Sequence, residues 1–402
     1  MCRSVAKDLH DHSVQLNRWF LKPIGAWPRT SATSSSEKAV SRVLIFICYF
    51  LVAFSVIPCA LNICFEEKDI ELRLRAIGPL SHWLMGGLNY CSLLLHSADI
   101  HRCMRHMETD WRIIRQSRDR EIMARNARLG RFVAGFCAIF MHSGVFSYSI
   151  MSSLTTVVVS IGDNQTVSML QLPFPSYSKL IDTRFSPANE IVFAMQLISG
   201  FIVNSTIVGA CSLAAVFAMH ACGQLDILIL RLNGLVEDGD TKENESAQRK
   251  LADIVEHHLR VLRFIASIED VMHQICLVEL LGCTFNLCML GYYSITWWNK
   301  IDRRGIMAYI IVYISMSFNI FIFCYIGEIL TQQCKKVGET AYMTDWYRLP
   351  RKTALGLILV IARSSAVIKI TAGKLVQLSI VTFSDVIKTS LVYLNILRTV
   401  TT

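Results

Sequence analysis

The chain has 402 residues, 53% of them hydrophobic and 18% charged, with a mean hydropathy of +0.42. That is too apolar for an ordinary soluble domain and reads as a polytopic membrane protein. A formal charge of +9 would suit nucleic acid or anionic lipid, but the basic residues are spread over alternate loops, which points to membrane topology instead.

Fourteen cysteines form no C-x-x-C pair, and most sit inside apolar runs, as Cys48, Cys137, Cys211 and Cys283 do. They read as small buried hydrophobes, not as a disulfide framework or a metal site. The first 42 residues are polar and mixed, without a cleavable-signal pattern, and form a lead-in. Within it, residues 7–29, with Trp19, Phe20, Pro23, Trp27 and Pro28, read as an aromatic-rich interfacial segment, and Ser31 to Ser36 as a short flexible joint.

A hydrocarbon core about 30 Å thick takes about 20 apolar residues of helix. Seven stretches qualify or nearly do: 43–65, 76–96, 132–158, 191–219, 272–297, 306–327 and a more amphipathic one near 370–397. With the N-terminus inside, the inner segments carry 29 Lys and Arg against 8 in the outer ones. The positive-inside rule then puts the N-terminus in the cytoplasm and the C-terminus outside. The sequon at Asn164 falls in an outer loop, the natural place for a glycan, whereas Asn204-Ser205-Thr206 lies within a span.

Pro173, Pro175 and Pro187 exclude regular helix from the second outer loop and favour an extended lid over the helical bundle. In the next inner loop, Glu237-Asp238-Gly239-Asp240 reads as a solvated acidic tip. His257 and His258 diverge by about 100° on a helix, which argues against a shared metal.

In the last span Leu378, Thr382, Asp385, Thr389, Val392, Ile396 and Val400 recur at steps of three and four, one stripe on a helix. The stripe is polar at its middle and apolar toward its outer end. An ionisable group at membrane depth faces water or a partner, so a hydrated pore closed by a greasy constriction accounts for both halves. Packing on another helix of the same subunit is the alternative. Asp385 is also within reach of Lys388 for a local pair.

The end of the chain carries a denser signal: Cys324-Tyr325, Gly327-Glu328, Ala341-Tyr342, Trp346-Tyr347, Arg351-Lys352, Thr371-Ala372-Gly373-Lys374, Thr382-Phe383 and Lys388-Thr389-Ser390, in order over about 75 residues. This resembles the C-terminal signature of insect odorant receptors, with departures at Ala366 and Leu391. Asp110-Trp111, Leu172-Pro173 with Pro175, Ile181-Asp182-Thr183, Ser186-Pro187 and Glu190 are similar to the form common in bees, ants and wasps.

The resemblance implies an all-α fold of seven transmembrane helices, divided into the lead-in 1–42, helices one to six at 43–327, a cytoplasmic anchor at 328–369 and a pore helix with its tail at 370–402. It implies an odorant-specific tuning subunit that assembles with the shared co-receptor as a heterotetrameric, ligand-gated, non-selective cation channel in the plasma membrane of sensory-neuron dendrites. Permeating cations, the lipid bilayer and a small volatile ligand are the other partners; no nucleic acid and no cofactor are implied. Ile396 and Val400, with Thr399 beside them, match the gate, and Tyr342, Trp346 and Tyr347 match the contact between subunits.

The ligand site implied lies where the outer halves of helices two, three, four and six converge. Trp83, Met85, Tyr90, Phe146, Ser147, Met151, Met195, Phe201, Met307, Tyr309 and Tyr313 are the candidates there, since aromatics and Met suit weak, shape-tolerant recognition. The second inner loop, at about 50 residues, is too short for the insertion the co-receptor carries. A G-protein-coupled receptor fits neither the orientation nor the absence of cysteine between 138 and 210, and the gustatory-receptor tail is missing. Inverted repeats of a secondary transporter are not seen. No phosphate loop, zinc motif or nucleophile elbow suggests an enzyme.

Overall fold

The computed structural model describes residues 2–29, 33–160, 166–237, 244–296, 303–366 and 368–401. Over these the chain is all-α: α1 (Cys2–Leu21), α2 (Ser35–Leu61), α3 (Ile70–Leu95), α4 (Ser97–Ile113), α5 (Ser117–Leu154), α6 (Ala188–Glu237), α7 (Asn244–Thr296), α8 (Arg303–Met343), α9 (Arg351–Ser365) and α10 (Ile380–Thr401). Two small antiparallel hairpins interrupt them. β1 (Thr156–Ser160) pairs with β2 (Thr166–Leu170) so that Thr156 faces Leu170, and β3 (Thr371–Ala372) pairs with β4 (Val376–Gln377). Asn164 and the acidic residues 238–243 lie outside the described residues.

With 50, 53 and 41 residues, α6, α7 and α8 are about 60–80 Å long at 1.5 Å per residue. That is about twice the hydrocarbon thickness. Their apolar portions form a membrane bundle, and their remainders continue into a second bundle with α1, α4, the start of α5 and α9. On length and composition α2, α5, α6, α7 and α8 are able to cross a membrane. α3 and α10, where spans were expected near 76–96 and 370–397, are not among these; His82, Asn89 and Ser92 of α3 and Ser390 of α10 are buried.

α6 is the axis of the molecule: 83% of its most apolar stretch is buried, against 22% for α2. Small residues make this possible, since Ala210, Cys211, Ala214, Ala215, Ala218 and Ala221 leave room for neighbours on every side. Gly327 serves the same purpose on α8: a side chain there would come within 2.6 Å of the Leu378 carbonyl oxygen.

Three expectations need correction. Residues 7–29 do not simply lie along an interface: Val14, Leu21, Ile24 and Ala26 are buried, and α1 packs on α4, α5 and α6. Only one face stays outside, including Trp19. The joint expected at Ser31 to Ser36 ends in order, because the Ser34 hydroxyl accepts a hydrogen bond from the Glu37 amide and caps α2.

The last span, third, does not begin as helix at 370. Gly373 and Lys374 take φ of +63° and +61°, at the centre of a turn that the Leu375 amide closes by donating to the Ala372 carbonyl at 3.1 Å, so that three residues separate the paired Ala372 and Val376. The Thr371 amide and hydroxyl donate to the Glu269 carboxylate, the Gly373 amide donates to the His273 carbonyl at 2.7 Å, and Lys374 pairs with Asp270 at 3.6 Å. The Thr-Ala-Gly-Lys block is therefore a hairpin docked on α7, and Leu378, 1% exposed, is core beneath Gly327 and precedes α10.

In the second bundle Asp110 of α4, 4% exposed, accepts from His220 of α6 at 2.9 Å and pairs with Arg260 of α7 at 2.6 Å. Burial alone would raise the Asp110 carboxyl, but His220, His106 and Arg260 outweigh it and hold it below the ordinary carboxylate range. Burial lowers His106, which stacks on Phe264.

Candidate functional site

A cavity of about 640 Å³ opens between α3, α5, α6, α7 and α8, under the segment 169–176 that runs from the end of β2. This is within the range of small-molecule sites. Its walls are aromatic and apolar: Trp83, Met141, Tyr148, Met289, Tyr293 and Tyr309 contribute from different helices.

The lid is held by specific bonds. The Tyr148 hydroxyl donates to the Pro173 carbonyl at 2.6 Å, and Gln196 clasps Phe174, accepting from its amide at 3.5 Å and donating to its carbonyl at 3.2 Å. Asn189 brackets Leu170 in the same way. Phe174 lies edge-on to Trp83 at 4.7 Å, and the Trp83 indole donates to Ser199 at 2.8 Å. Prolines at 173 and 175 remove two amides that an extended segment would leave unpaired, and side chains of α5 and α6 pair the groups of Leu170, Pro173 and Phe174.

Of the eleven ligand candidates, Trp83 and Tyr309 line this cavity. Met85 is buried against Gly282 of α7, and Tyr90 donates to the Ile24 carbonyl at 2.6 Å, well below the cavity. Phe146 and Met307 are 58% and 60% exposed, on outward faces. Ser147, Met151, Met195, Phe201 and Tyr313 also fall outside the lining, while Val145, Tyr148, Gln196, Leu197, Gly200 and Val312 fall within it. Each step along a helix turns a side chain by 100°, and helices apolar nearly all round give no phase to read. The contribution of α7 through Asn286, Met289, Leu290 and Tyr293 was also not expected.

α10 packs on α7 and α8 through Phe383, Val386, Ser390 and Leu394, a stripe at steps of three and four. The opposite face is uncovered: Asp385, Val392 and Thr399 are exposed and Ile396 is 52% exposed, with Thr389 half-buried at the margin. Packing on another helix of the same chain therefore does not occupy this face. Thr382 is engaged locally, its hydroxyl donating to the Gln377 carbonyl at 2.6 Å. Asp385 stands 3.9 Å from Lys388, with both side chains mostly exposed. Nothing is described of the Val400 side chain.

At the other end of the molecule Tyr342, Trp346 and Tyr347 are 65%, 53% and 70% exposed, and Leu355, Ile358 and Leu359 of α9 are exposed beside them. So much uncovered apolar surface is unfavourable in water. Among the described residues no cluster of three His, Cys, Asp or Glu is placed to hold a metal. His257 instead bonds Gln224 at 2.7 Å.

The profile of the 7tm Odorant receptor family matches residues 69–391. The chain belongs to this family. It is similar to Odorant receptor 13a of Drosophila melanogaster, at 25% identity over 95% of this chain and 94% of that one, and to Odorant receptor 10 of Aedes albopictus, at 23% over 57% and 60%. The Odorant receptor coreceptor of Drosophila melanogaster shares 27% identity over 41% of this chain and 34% of its own; the odorant receptor described here is not that co-receptor.

Its fold matches that of the insect olfactory receptor OR5 from Machilis hrabei, solved with eugenol, with a TM-score of 0.77 at 14% identity over 98% of this chain and 99% of that one. The same receptor without that ligand gives 0.76 at 15% identity, covering 96% and 99%. This odorant receptor is thus a multi-pass helical membrane protein, and its relatives are receptors, not enzymes.

Proposed function

We propose that this odorant receptor is a tuning subunit of a ligand-gated, non-selective cation channel, assembled with the co-receptor in the plasma membrane of a sensory neuron. Its lidded cavity takes a small volatile ligand, and the uncovered face of α10 borders the ion path. The N-terminus lies in the cytoplasm, as the basic loops favour, with the anchor around 328–369 on the same side and the tail of α10 outside.

The observation that carries the reading is the two-sided character of α10. One stripe is buried in its own subunit, and the other presents a carboxylate and then bulky aliphatics to whatever surrounds a central axis. Charge at mid-depth followed by a greasy exit suits conduction and dewetting in turn. The exposed aromatics at 342–347 would be covered by a neighbouring subunit at the anchor. A ligand opens such a pore only by binding the open arrangement more tightly than the closed one.

The test is expression with and without the co-receptor while a volatile panel is applied and current recorded. Current is expected only with the co-receptor, and lost in Ile396→Lys at normal surface level. Responses that survive only through G-protein signalling would overturn the reading.

A further inference from the structure

The cavity walls are mainly aromatic and apolar, and the floor mixes apolar side chains with polar groups. On each helix the lining residue farthest from the lid is His82 or Trp83 on α3, Met141 on α5, Asn204 on α6, Asn286 on α7 and Met316 on α8. Two of the polar groups there are not alike. Asn286 is satisfied, accepting from Ser81 at 3.0 Å and donating to the Gly282 carbonyl at 2.8 Å. Asn204 is 1% exposed, and neither its amide nitrogen nor its carbonyl oxygen has a partner. His82, 8% exposed, also has an unpartnered Nδ1, as does the hydroxyl of Tyr293 nearer the lid.

A buried amide left without partners is unfavourable unless a ligand or water completes it. Asn204 asks for one donor and one acceptor together. A hydroxyl group provides both from a single atom, an ether or ketone provides only an acceptor, and a hydrocarbon provides neither. A carboxylate on the floor would be unpaired, because the arginine that lines the cavity, Arg75, lies about two helical turns nearer the lid than His82, and burying a charge unpaired is costly.

We infer that this receptor selects neutral hydroxyl-bearing volatiles, alcohols or phenols, whose hydroxyl bonds Asn204 at the cavity floor while an apolar body fills the aromatic walls. This rests on the ligand role proposed for the cavity. It also gives a use to the asparagine of a sequon that lies inside a span.

The experiment compares each alcohol with its own methyl ether, on linear, monoterpenoid and phenyl-substituted skeletons. It reads current in the assembled channel and, separately, the rise in melting temperature of the purified chain. A site that hydrogen-bonds a hydroxyl rejects the analogue lacking it, so the alcohols are expected to act at concentrations at least about tenfold lower than their ethers. Asn204→Leu should bring each pair to within about twofold by weakening the alcohol alone. If that variant fails to reach the surface, His82→Phe should narrow the ratio by a smaller factor.

Equal potency of alcohol and ether in the native receptor, or discrimination that persists in Asn204→Leu, would overturn the assignment. So would a panel in which no alcohol raises the melting temperature. Selective melting shifts without any current would uphold the hydroxyl preference and sink the channel reading instead.

Discussion

The cavity and the outer face of α10 differ in how completely one chain builds them. Around the cavity every wall comes from the same subunit, and Tyr148, Gln196 and Asn189 fasten its lid. Along α10 half the helix is finished, against α7 and α8, and half is left open with Asp385, Val392 and Ile396 outward. A single chain completes the cavity by itself, whereas on the proposed channel reading conduction would require copies to meet.

The largest effect should come from the ionic staple that both regions stand on. Removing one partner of a buried charged network costs about 3–5 kcal/mol, so Asp110→Ala, which strands Arg260 and His220, is expected to abolish folded receptor as read by thermal melting and surface level. Acid should act on the same group. The folded Asp110 carboxyl titrates below its unfolded value, so its contribution is present above the unfolded value and fades as pH falls through the folded one. His106 is likewise lowered, so stability should decline as pH drops below about 6.5, where the unfolded chain gains a proton first.

Next comes the substitution that should split the two regions. Ile396→Lys is expected to remove current, while the rise in melting temperature caused by a ligand of the purified chain stays within error. A joint loss would mean that the regions are not separable.

Gln196→Leu should do the converse at smaller scale. It strands the Phe174 amide and carbonyl, about 1–3 kcal/mol of local destabilisation, and should raise the concentration for half-maximal current and speed proteolysis at 171–178 without altering unitary conductance. Smallest is Lys388→Ala: an exposed pair contributes at most about 1 kcal/mol, so its melting temperature should barely move.

Spans, lid and the two-faced last helix were legible because each leaves a local mark: long apolar runs, prolines, and a repeat of three and four. The cavity lining was less so. Val145 and Tyr148 line it where Phe146 and Ser147 do not, and one residue of helical phase, set by packing across α3, α6 and α8, decides the matter. Tyr90 lies deeper because α1 and its following turn fill that depth with Ile24, a long-range contact that no pattern within 76–96 announces. The signature block at 371–374 was visible as letters, but its meaning as a hairpin came only with Glu269 and His273 a hundred residues earlier.

That hairpin makes α7 a connecting rod. Tyr293 and Met289 stand in the cavity, and Glu269 and His273, about 30 Å down the same unbroken helix, grip the strand that leads into α10. On the proposed reading, an occupant that displaced Met289 would carry that movement along the helix to the foot of α10.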